Sequence, residues 1–345
     1  MLVRRTLSAA LVCLSGQVFA DAGTVARDAG QPHQSALGLK RAEDDQRLKR
    51  VFALFEERKF DAAIAELQPV LDAQPELVTM QELACELRAR QAPAAVETRT
   101  QCLKAGEMAG AGPISWLHAA RSQGSDASAV VQSLARARAA FDAKPAPAFV
   151  WETFAELSLD QRCFTWVETA ATHLDAEIAK PFLESVGKQR RRLGLPAGAV
   201  PEAREGEFAK LAADAQKRIN LDEPKAAAEL VAKAEAGFPK VAGTLALRCA
   251  LDDLTKKSAS AKKACAAALE AQPDNLVARL VSSSLSKPDE AIADLAAIIK
   301  ADSGYELAYR RLGALYRKKK DAAALKTLEE AYQAQFKRPL PRTGS

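Results

Sequence analysis

Tyr309 to Tyr332 reads YRRLGALYRKKKDAAALKTLEEAY, and its spacing decides the architecture. Tyr309, Leu312, Gly313 and Tyr316 fall at helical intervals and share one face of a first helix, while Ala324, Leu328 and Ala331 do the same for a second. Between them lies the cationic run Arg317 to Lys320, closed by Asp321. A lone amphipathic helix of this length cannot hide its apolar stripe, so the two must fold onto each other. Small residues at Gly313 and Ala324 let the two backbones approach, and the larger side chains fill what is left.

The second-helix pattern recurs along the chain. Ala63, Leu67, Val70 and Pro75 are repeated in kind by Ala227, Val231, Ala234, Pro239, and by Ala261, Cys265, Ala268, Pro273. Thr98, Cys102, Ala105 and Gly110 carry it with glycine as the breaker, and Ser133, Ala137, Ala140 and Pro145 with small residues throughout. Ala291, Leu295 and Ile298 keep the steps without the proline, and Cys163, Val167 and Ala170 fit loosely. Alternating strand patterns are missing from Arg47 onward, where Ala, Leu, Glu, Lys and Arg dominate.

A small–large–small pattern followed by a helix breaker, at a period of roughly 34 residues, resembles the tetratricopeptide repeat (TPR) family. The resemblance implies an all-α, TPR-like solenoid of roughly eight helical hairpins, non-catalytic and concave on the side lined by first helices. Matching the last unit to the family places Arg310, Arg317 and Lys318 on that concave side, where they would hold an acidic segment of a protein or peptide partner. The family's asparagine-based carboxylate clamp is not evident here. KQRRRLGLPAGAVP, Lys188 to Pro201, stops a helix and starts an extended connection. The expected division is a lead-in over 21–42, one array over 43–193, a linker over 194–203, a second array over 204–336 and a frayed tail over 337–345.

Met1 to Ala20 carries Arg4 and Arg5, an apolar run from Leu7 to Leu14, and Val18-Phe19-Ala20. This is the make-up of a signal peptide cleaved after Ala20, so the protein is expected to be exported, to the periplasm or beyond the cell. Cys13 has Val12 before it rather than a small residue, which argues against a lipid anchor. No later stretch approaches the ~20 apolar residues of a membrane span.

Export changes the reading of the cysteines. Cys102 and Cys265 occupy the large inward position of second helices in the matched units. Cys85 and Cys249 precede them by 17 and 16 positions, across one hairpin turn. In an oxidising compartment the expected pairs are Cys85 with Cys102 and Cys249 with Cys265; ordinary buried thiols are the alternative. Cys163 has no such partner and reads as a core thiol.

The 345 residues carry 49 basic and 44 acidic side chains, a formal charge of +5 that falls to +3 without Arg4 and Arg5. So small a surplus argues against nucleic acid as the partner. His33, His118 and His173 lack ligand spacing, so no metal or other cofactor is expected. Gly106, Gly110 and Gly112 follow a helix rather than a strand and read as a helix stop, not a phosphate cradle. Asp44-Asp45 and Asp252-Asp253 read as solvated faces. QRRR, Gln189 to Arg192, reads as the cationic end of a helix. A carbohydrate-active helical barrel is the enzymatic alternative, disfavoured by only 3 Trp and 4 Tyr. A role in envelope assembly is the other alternative.

Overall fold

The computed structural model describes residues 38–143 and 145–341. The expected signal peptide, Cys13, His33, most of the lead-in and the last four residues lie outside the described part. Among the described residues there are seventeen α-helices and no strand. No described helix is long and apolar enough to cross a membrane.

The chain divides into two compact units between Leu183 and Glu184. In the N-terminal unit the hairpins are α1 (Ala42–Glu56) with α2 (Phe60–Ala73), α3 (Val78–Gln91) with α4 (Val96–Glu107), α5 (Pro113–Ser122) with α6 (Ala127–Ala143), and α7 (Ala148–Asp160) with α8 (Phe164–Ala171). Helix α9 (Ala176–Leu193) follows, and the unit boundary falls within it. The C-terminal unit continues with a 3-10 turn (Glu202–Arg204), then α10 (Glu205–Asn220) with α11 (Pro224–Gly237), and α12 (Ala242–Leu254) with α13 (Ser258–Ala271). It ends with α14 (Leu276–Leu285) with α15 (Pro288–Ala301), and α16 (Glu306–Lys319) with α17 (Ala322–Phe336). The connection at 194–203 thus lies inside the second unit. It is packed, with Leu195 and Val200 buried.

The repeat steps are the core. Ala63, Leu67, Val70, Ala227, Val231, Ala234, Ala261 and Ala268 are fully buried, as are Cys102, Ala105, Val167 and Ala170. Small residues at these points bring second helices against first ones, which is why alanine is so frequent. Two kinds of turn recur, one inside five of the hairpins and one between hairpins. Arg58, Arg162, Asp222, Lys256 and Lys320 are left-handed, with φ between 57° and 60°, and each ends the first helix of its hairpin. The next N–H in each case bonds back five residues, for example Lys257 N to Asp252 O at 2.8 Å and Asp321 N to Tyr316 O at 3.0 Å. This is a Schellman-type stop made without glycine. Between hairpins, Gln74, Phe238, Gln272 and Asp302 cap the second helices and are all buried.

Several sequence expectations shift. In α17 the buried residues are Leu328 and Tyr332, while Ala331 is exposed. Residues 337–341, read as a frayed end, fold back instead, so that Leu340 packs on Gly313 and Arg338 pairs with Glu306 at 2.8 Å. Asp44 and Asp252 are buried rather than solvated. Asp44 is held by Arg41 at 2.7 Å, and Asp252 accepts from Ser260 Oγ at 2.6 Å. A buried carboxylate needs such partners; Arg41 is a local one, three residues before Asp44, whereas Ser260 reaches Asp252 from the next helix.

Candidate docking groove

Within the C-terminal unit, first helices of successive hairpins line a concavity of about 510 Å3. Its floor is Ala212 and Ala213 of α10 with Gly243 and Ala246 of α12, residues too small to fill it. Leu193, Leu221, Leu247, Val277 and Leu307 supply apolar walls. Leu221 stands 55% exposed at the end of α10, an unusual position for a large apolar side chain with nothing over it.

The rim is polar. Gln216, Lys217 and Asn220 lie along the last turn of α10, with Arg192, Tyr305 and Glu306 at the other margin. Gln216 Nε2 donates to Asn220 Oδ1 at 3.0 Å. Glu306 accepts from Tyr332 Oη at 2.8 Å and pairs with Arg338 and, at 3.7 Å, with Arg310. Its charge is therefore already answered. Burial pushes the Tyr305 hydroxyl above its ordinary range, against the pull of Arg311 and Arg192, so it stays a neutral donor. Arg311 donates to Leu280 O at 2.8 Å, and burial lowers its pKa.

The cationic residues expected on the concave side are spread out. Arg310 is half-buried beside Glu306, one turn along α16 from the groove. Arg317 lies 3.6 Å from Glu329 of α17, and Lys318 is exposed. None of the three lines the concavity. Lys217, Leu221 and Tyr305 do, and sequence reading did not select them. Leu221 carried a signal all the same: it directly precedes the turn residue Asp222, where a large apolar side chain has no second helix to cover it.

The run at Gln189 to Arg192 is used inside the unit. Arg190 meets the buried Glu205 at 3.0 Å and donates to Leu195 O at 3.2 Å. Arg191 donates to Ala301 O at 3.3 Å, and Arg192 holds the buried Asp302 at 2.5 Å.

The four cysteines come together in the pairs expected from the repeat. Cys85 of α3 and Cys102 of α4 stand 4.7 Å apart between Cα atoms, and Cys249 of α12 and Cys265 of α13 stand 5.0 Å apart, both at disulfide distance. Cys163 is buried at the start of α8. His118 is paired with Glu86 of α3, and His173 stacks on Trp151 at 3.9 Å. Among the described residues no three His, Cys, Asp or Glu side chains gather as a metal-binding group.

Successive helical hairpins, with a concavity along the first helices of the C-terminal unit, define a TPR-like helical-hairpin repeat protein. No protein-family model and no curated protein sequence matches the chain. Solved structures similar to it include a tetratricopeptide repeat protein from Parabacteroides merdae, at 9% identity and a TM-score of 0.31, covering 80% of this chain and 99% of that one. Another is the TPR2AB domain–pHSP90 complex of yeast Sti1, at 15% identity and a TM-score of 0.26, covering 80% and 98%. The fold assignment rests on the hairpins themselves.

Proposed function

We propose that this protein is an exported, non-catalytic scaffold that binds a protein or peptide partner along the first-helix surface of its C-terminal unit. The observation that carries the reading is the groove: a floor of alanine and glycine under exposed Leu221, with a polar rim. Such a floor accepts apolar side chains of an incoming segment, and Lys217 on the rim meets an acidic group on it. The rim's one carboxylate, Glu306, is held by Arg338 and Tyr332, which leaves it poorly placed to act as a catalytic acid or base. Arg310, Arg317 and Lys318 of α16 lie outside the lining of this groove and are not needed for the reading.

The test uses a photoreactive residue at Leu221 and, as control, at Lys262 on the exposed side of α13. Crosslinking in the native compartment is expected to give a discrete adduct from position 221 alone. The double variant Lys217→Glu, Leu221→Asp should lower capture at least ~10-fold, with the helical signal unchanged because both side chains are exposed. Equal adducts from both positions, or unchanged capture, would reject the groove.

Export is supported by the charged and apolar make-up of Met1 to Ala20 and by the cysteine geometry. The mature protein is expected to begin at Asp21. It should show one reactive thiol when unfolded without reductant and five after reduction. Replacing Cys249 and Cys265 together by alanine should lower the stability of the C-terminal unit by roughly 2–3 kcal/mol, the loss expected for opening a loop of this length. Five thiols before reduction would end both readings.

A further inference from the structure

Residues 191–194, the end of α9 and the glycine after it, touch the starts of three successive first helices. Gly194 O accepts from Gly243 N of α12 at 2.6 Å. The Asn275 side chain, at the start of α14, lies against Gly194. Arg192 reaches Asp302, just before α16, across a sequence separation of 110. In a solenoid each hairpin otherwise contacts chiefly its neighbours, so the spacing between distant hairpins is a sum of soft local terms.

We propose that 191–194 is an intramolecular strap that sets the spacing of these three hairpins and with it the width of the groove, whose wall includes Arg192 and Leu193. Two departures from the repeat pattern face it. The residue capping the second helix is Gln74, Phe238 or Gln272 in the equivalent turns but the acid Asp302 in this one, 1% exposed at its side chain and in need of a cation. The second residue of the following helix is Thr79, Val277 or Leu307 elsewhere but Gly243 here. A Cβ at Gly243 would stand 2.0 Å from Leu193 O, and one at Gly194 (φ +64°) would stand 2.5 Å from Gly243 Cα. Only two glycines permit this crossing, and the bond it makes satisfies one of the N–H groups that the start of α12 leaves open.

The inference deepens the docking reading because it concerns the same groove, but its test needs no partner. Amide exchange of the full oxidised chain is followed in peptides covering 241–247 and 301–307. Arg192→Ala is expected to speed exchange in both by roughly tenfold or more while α13 and α15 keep their rates, the signature of a local opening. Arg192→Lys should restore part of the protection. Gly243→Ala should reproduce the pattern, and the double variant should be no faster than the faster single one. Unchanged rates in the two peptides, equal acceleration throughout the unit, or additive effects would overturn the strap. If Gly243→Ala does not fold, the comparison of alanine with lysine at 192 decides alone, and full loss of protection in the lysine variant rejects the ion pair as the fastener.

Discussion

Arg190→Ala is expected to destabilise the C-terminal unit by about 3–5 kcal/mol, because it strands a charge rather than merely deleting a contact. Glu205 is fully buried and its side chain meets Arg190 at 3.0 Å, both side chains under a tenth exposed. Its position as first residue of α10 gives it some help from the helix N-terminus, but that contribution is smaller by several-fold. Removing the cation also takes the donor from Leu195 O. The double variant Arg190→Met, Glu205→Leu should recover most of the loss, since the cost lies in the unpaired ion. The chain itself supplies an internal control: Trp116, Trp151 and Trp166 are all in the N-terminal unit and all four tyrosines in the C-terminal one. Denaturant midpoints from the far-ultraviolet helical signal should move while the tryptophan transition stays in place. Equal loss in single and double variants would show that packing, not charge, is what Arg190 provides.

The architecture was legible because it is written in residue size. Ala, Leu or Val, Ala and a breaker at fixed steps mark where helices touch, and the burial of Ala63, Leu67 and Val70, or Ala227, Val231 and Ala234, follows from that. The cysteine pairs were legible for the same reason, as they occupy matched positions across a hairpin turn. What could not be read was any contact between residues far apart in sequence. The arginines of 190–192 resemble an ordinary helix end locally, and only the fold brings Asp302 and Glu205 to them. Asp44 and Asp252 have cations nearby in sequence, Arg41 and Arg248, but their burial depends on packing against other helices, where Gln74 and Ser260 reach them. Arg317 was placed on the concave side by matching to a family; the fold adds a neighbour that the match did not supply, Glu329 of α17 at 3.6 Å. Left-handed turns also escaped notice: Arg58, Arg162, Asp222, Lys256 and Lys320 adopt a conformation that sequence readers assign to glycine.

Glu86→Gln is expected to cost about 3 kcal/mol at neutral pH and progressively less in acid, vanishing near pH 2. Burial alone would raise the Glu86 carboxyl. His118 of α5 and Arg90 of its own helix overcome that and hold it at about 2, against an ordinary 4.5. Arg90 Nε donates to Oε1 at 2.7 Å and His118 Nε2 contacts Oε2, so both oxygens are engaged. One turn earlier Glu82 accepts from Gly112 N at 2.6 Å, which fastens α3 to the start of α5 a second time. Because the folded carboxyl sits below its unfolded value, the unfolded chain takes up the proton first as pH falls. The stabilisation is therefore complete above about pH 4.5 and is lost on the way down to about 2. Tryptophan emission reports this directly, since Trp116 lies on α5 two residues from His118. Midpoints of the unchanged protein and of Glu86→Gln should converge between those two values. A constant gap across the acid range would mean that the amide fails for reasons of shape, and that the ion cluster contributes nothing to joining the two hairpins.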